Sequence, residues 1–221
     1  MLSDRLIKVF VGPPRKGQRP YLVQQTLLAS ASDYFAKAIK HENMGVNSEP
    51  GVLRFPDDDS GAWKVFLHWL MWRELPSETI TDRLAVHCWI LGDCYHITRF
   101  QDDAMFELLE CFEDDGAEEE LIMVAFQQTP PGSKLRALMS EELAYLMQEE
   151  LTPFDKVDPL LNGSNFAGEL LGALARLRSS GDRTIIYRFR RTDDGQYPWK
   201  EFMVGDGAIR LEGYARELRH K

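Results

Sequence analysis

The chain has 221 residues and a mass of 25.4 kDa, which fits one domain or one domain with an extension. Apolar residues make up 44% and charged residues 28%, enough to build a core and too apolar for a disordered tail. The net charge of −9 argues against non-specific nucleic-acid binding, which needs a positive footprint, and three cysteines are too few for a disulfide scaffold.

In chain order, Leu6-Ile7-Lys8-Val9-Phe10-Val11 is rich in strand formers and stops at Gly12-Pro13-Pro14. Tyr21-Leu22-Val23 reads as a second strand, so the two form a hairpin with a long polar loop. From Gln25 the spacing turns helical, with Ser30 or Ser32 as N-cap. Val52-Leu53-Arg54-Phe55 is a third strand, ended by Pro56 and the acids Asp57, Asp58 and Asp59, which read as solvated. Ser60 is a cap for the next helix. In it Trp63, Phe66, Leu67 and Leu70 make a stripe, and Val65, Trp69, Met71 and Trp72 fill much of the other side. That helix is expected to be buried nearly all round and to end by Pro76.

Thr81 or Asp82 caps a helix with Leu84, Cys88, Leu91 and Tyr95 on one face, and Ile97 to Phe112 repeats the pattern. Further helices are expected over Leu121–Phe126, Ser133–Glu150 and Phe166–Arg178. Thr184 to Arg190 reads as a strand that Phe202-Met203-Val204 could pair with, and Gly213 to His220 as a last short helix. Strands gathered at one end and helices after them give an α+β class. No run approaches the roughly 18 apolar residues of a membrane span, and Met1 to Phe10 lacks the apolar core of a signal peptide. The expectation is an intracellular protein of the cytoplasm or nucleus, without membrane contact.

Charge is uneven along the chain. Residues 1–150 carry 14 basic and 25 acidic side chains, whereas residues 151–221 carry 12 and 10. The dense acids Glu113 to Glu120, broken by Gly116, mark one boundary, with the later acids in the first turn of a helix, where the macrodipole favours them. Pro153, Pro159, Gly163 and Ser164 mark a second.

Five ordered stretches resemble the BTB/POZ family, of the kind common in fungal proteins. They are Val9-Phe10-Val11-Gly12 with Tyr21 to Gln25; Leu28-Ala29-Ser30-Ala31-Ser32-Asp33-Tyr34-Phe35; Val52 to Asp58; Trp63 to Met71; and Trp89 to Met105. The resemblance covers about half the chain. It implies a BTB/POZ-like domain over residues 1–113, a cluster of short helices flanked by a small sheet. Residues 114–151 are similar to the helical extension that often follows such domains, and residues 152–221 match no family. The resemblance implies protein binding without catalysis. It implies homodimers formed through the first strand and first helix, with Val9, Val11, Leu27 and Leu28 as interface candidates. An exposed edge on Leu6 to Val11 would invite a partner strand. The alternative role it implies is a substrate adaptor for a cullin-type ubiquitin ligase, with Met71 and Tyr95 nearest to that surface.

The residues themselves offer little chemistry. Gly12-Pro13-Pro14-Arg15-Lys16-Gly17 fails as a phosphate loop, because no Lys-Ser/Thr follows and two prolines remove donors. Gly205-Asp206-Gly207 reads as a turn. His87, Cys88, Cys94 and His96 are the nearest to a metal set, but at about 100° per residue only His87 and Cys94 share a helix face. Asp102-Asp103 reads as solvated. No cofactor is implied. Arg183, Arg188, Arg190 and Arg191, interleaved with Tyr187 and Phe189, allow two readings. One is a nucleic-acid-associated regulator; the other is a basic strand lying against the acidic body.

Overall fold

The computed structural model describes residues 4–41, 49–76, 79–114, 116–149, 157, 166–180, 188–189 and 195–218. It is α+β, a small three-stranded sheet followed by a succession of helices. β1 (Leu6–Val11) pairs antiparallel with β2 (Tyr21–Gln24), with Ile7 opposite Val23, and parallel with β3 (Val52–Phe55), with Val9 opposite Leu53. The sheet order is β2-β1-β3, so β1 is the central strand. The edge expected along Leu6 to Val11 is therefore occupied on both sides. Strand alternation sends Ile7, Val9, Val11 and Val23 into the core, with Leu6, Lys8 and Leu22 on the outer face. Gly12 turns the chain out of β1 at φ 79°, where a side chain would be strained, and its N–H donates to the Phe55 carbonyl at 2.8 Å.

α1 (Gln25–Ala29) is one turn and leads into α2 (Asp33–Lys40), whose N-cap is Ser32. α3 (Ser60–Trp72) is capped by Asp59, whose carboxylate accepts from the Ala62 N–H at 2.7 Å; Ser60 is already the first helical residue. Its inner stripe of Trp63, Phe66, Trp69 and Leu70 is buried. It is not covered all round as its composition suggests: Met71 and Trp72 stand out into solvent at 64% and 65% exposure. The helix closes on Arg73 in the left-handed region at φ 60°, with the guanidinium over the Trp69 ring.

α4 (Asp82–Cys94), capped by Thr81, packs along α5 (Thr98–Asp114). Gly92 permits their close crossing, since a Cβ there would come within 3.2 Å of the Gln101 backbone nitrogen. Between them the N–H of Ile97 donates to the Gly92 carbonyl and that of His96 to the Asp93 carbonyl. His96 takes φ 55° in this capping turn, where glycine is usual. α6 (Glu119–Gln128), α7 (Lys134–Gln148, capped by Ser133) and α8 (Ala167–Ser180) follow, with α8 packed on α7. Glu119 and Glu120 do occupy the first turn of α6.

The tail holds to the body through buried charge. Arg188 is 1% exposed and ion-paired to Glu142 of α7, which also accepts from the Ala117 N–H. That contact sets one basic residue of the tail against the acidic body. Arg188 and Phe189 lie in a turn, and the rest of the strand expected over Thr184–Arg190 falls outside the described residues. Phe202-Met203-Val204 is not a strand: Pro198–Phe202 forms a 3-10 turn, because Trp199 and Phe202 both turn into the core. The last helices are α9 (Gly207–Arg210) and α10 (Glu212–Leu218).

Asp102 and Asp103 are buried, not solvated. The Asp102 carboxylate accepts from the N–H groups of Val204 (2.6 Å), Gly205 (3.0 Å) and Gly207 (2.8 Å). A Cβ on Gly207 would come within 2.7 Å of the Asp102 Cβ, so only glycine allows this approach. Asp103 accepts from the Trp69 indole at 2.7 Å and pairs with Arg210 at 2.5 Å, while burial still pushes its carboxyl above the usual range. One continuous core runs from the sheet to Ala215. No helix of the described residues is long and apolar enough to cross a membrane.

Asp102→Ala should therefore leave three donors without their acceptor and cost about 2–4 kcal/mol in urea unfolding. Asp102→Asn, which keeps one acceptor, should cost less. Gly207→Ala should also destabilise the fold, by forcing the turn off Asp102.

Candidate functional site

α3 has two faces. Inward, Trp63 and Phe66 meet Phe35, which packs 5.9 and 5.8 Å from them between ring centres and also touches Phe55 and Tyr95. The turn before α3 is tied into this cluster by Asp58, which accepts from the Trp63 indole at 2.7 Å and the Tyr95 hydroxyl at 2.5 Å. The acids expected to be solvated thus include one that bridges α3 and α4. Outward, Lys64, Leu67, His68 and Met71 lie three to four residues apart and form one stripe.

That outer stripe walls a groove of about 550 Å³. All four residues of β2 also line it, together with Leu27 of α1 and the buried Leu70. The lining is mainly apolar. Its ionisable side chains are Lys64, His68 and the Tyr21 phenol, with no carboxylate, in a chain of net charge −9. Leu22 is 60% exposed and flanks the groove, and Trp72 adjoins it with its ring 6.3 Å from that of His68. β2 has β1 on one side and no strand on the other among the described residues.

The interface candidates read from sequence divide. Val9, Val11 and Leu28 are interior residues packed in the core, which corrects their placement on a contact surface. They are apolar because they build the sheet–helix core. Leu27 alone faces the groove. Of the adaptor-surface pair, Met71 is exposed and lines the groove, whereas Tyr95 is buried with its hydroxyl given to Asp58. Leu22 was not singled out by its sequence pattern, because an apolar residue in a strand reads as core until the inward set is known. Its position between Tyr21 and inward-facing Val23 was the available signal.

All three cysteines have their thiols pushed up: Cys88 by burial and then Asp59, Cys94 by burial and then Asp58, and Cys111 to about 11 by burial and nearby carboxylates. None is thereby activated as a nucleophile. No group of three potential metal ligands forms among the described residues, and His96 lies beyond the helix end. Arg188, the described basic member of the aromatic-interleaved set, is buried against Glu142 and offers no nucleic-acid surface; Arg183, Tyr187, Arg190 and Arg191 lie outside the described residues. No protein-family model matches the chain, and no curated protein matches it significantly.

Burial, then Glu110 and Asp103, push the Glu107 carboxyl to about 7. Its folded value lies above its unfolded one. Between about pH 4.5 and 7 the folded state holds a proton that the unfolded chain has lost, so this contribution falls as pH rises through that window. Glu107→Gln should narrow the difference in melting temperature between pH 5 and pH 8, through a gain at pH 8. An unchanged difference would contradict this placement of Glu107.

Proposed function

We propose that the chain is a non-enzymatic protein-interaction module, the role that the BTB/POZ resemblance implies, and that its contact surface is the β2–α1–α3 groove. The observation that supports this most is the grouping of exposed Leu22, Met71 and Trp72 around an apolar groove, on elements held rigidly from behind. Exposed apolar groups gathered at a concavity are what a partner would bury. Among the described residues the cysteine thiols are raised, and Asp58, Asp59 and Asp102 are engaged in holding the fold.

Two finer roles follow from the same resemblance. Of the candidates for self-association through the first strand and first helix, Leu27 lies on the groove, whereas Val9, Val11 and Leu28 are interior. Binding of a cullin-type scaffold is favoured by exposed Met71 at the end of α3, without help from Tyr95.

Affinity capture from the native cell, with intact chain and a Leu22→Asp/Met71→Gln variant, tests the proposal. Both positions are exposed, so the melting temperature should change by no more than about 2 °C while the captured partners are lost. Identical partner sets would contradict the role of this surface. Light scattering separates the finer readings. A 25.4 kDa particle would leave the groove to another protein; a dimer dissolved by Leu22→Asp would assign the groove to a second copy. Pull-down with a cullin N-terminal domain decides the adaptor role.

A further inference from the structure

We infer that the groove takes an extended, acidic and apolar segment of a partner protein, added as a fourth strand beside β2. The inference rests on the protein-interaction reading above and supplies the chemistry of its partner.

The backbone of the partner is specified by β2. All four residues of β2 line the groove, no strand pairs with its outer side among the described residues, and the backbone groups of Leu22 and Gln24 point away from β1. An edge strand offers unpaired N–H and C=O groups, and an extended segment satisfies them at the register of a sheet. A helix in the same groove would fill space but leave those groups to water.

The side chains of the partner are specified by α3. Leu67 and Met71 present apolar surface, while Lys64 and His68 stand beside them on the same stripe. Alternate residues of an added strand point the same way, so the segment lays apolar side chains on Leu67 and Met71 and a carboxylate near Lys64. The groove has no acid of its own. A segment bearing lysine or arginine would find no counter-charge there, which makes sign a discriminator.

The test uses the full chain and four synthetic twelve-residue peptides, followed by fluorescence anisotropy. One alternates Val or Leu with Glu or Asp. The second replaces every acid by Lys. The third and fourth are the acidic peptide N-methylated at alternate residues, one in each register, which removes donors to β2. The acidic peptide is expected to bind at least about fivefold more tightly than the basic one. Lys64→Glu should reverse that order, and methylation in one register should weaken binding about tenfold.

Equal binding of acidic and basic peptides, or indifference to both methylation registers, overturns the inference. So does a stable dimer of the chain that excludes every peptide, since a second copy is then the occupant. If partner capture depends on Leu22 and Met71 while no peptide binds, the interaction role stands and this inference falls. If capture is indifferent as well, both fall.

Discussion

The burial of one face of α3 is the constraint on which the rest of the structure depends. Trp63, Phe66 and Trp69 are nearly or wholly removed from water and meet Phe35, Tyr95 and Phe100 through their rings. Each such aromatic contributes a few kcal/mol by leaving water, and the ring pairs add about 0.5–1.5 kcal/mol each. With that face committed, the helix cannot rotate. Lys64, Leu67, His68 and Met71 must then stand on the opposite side, where they wall the groove with β2. Rigidity behind and apolar exposure in front come from one and the same helix.

Buried acids carry the second layer of organisation. Asp58 ties α3 to Tyr95, Asp102 collects the backbone donors of the 204–207 turn, Asp103 joins Trp69 to Arg210, and Glu142 meets Arg188. A buried carboxylate is costly alone and strongly held once its partners are in place. The acidic body and the slightly basic tail are thereby parts of one core, even though their compositions differ. The charge break along the sequence marks a change of role, from sheet and helical body to a clasp across α5 and α7.

Much of the fold was legible because its signals are local. The alternation in Leu6–Val11, the caps Ser32 and Thr81, and the helical stripe of α3 each depend on neighbouring residues alone. The failures share a cause as well. Asp58, Asp102 and Asp103 look solvated in sequence, because the groups that bury them lie 5 to 107 residues away. Val9, Val11 and Leu28 match a family's contact positions by motif, but whether an apolar residue faces a partner or the interior depends on which face of its strand or helix packs on the core. Here all three face inward. Leu22 escaped notice for the converse reason.

The most direct measurement of the central claim is amide hydrogen exchange of the full chain with and without the acidic twelve-residue peptide. The account predicts protection of the outward-facing β2 amides, at Leu22 and Gln24, with side-chain shifts at Leu67 and Met71 by NMR. Protection confined to other elements, with β2 exchanging as fast as in the free chain, would contradict it.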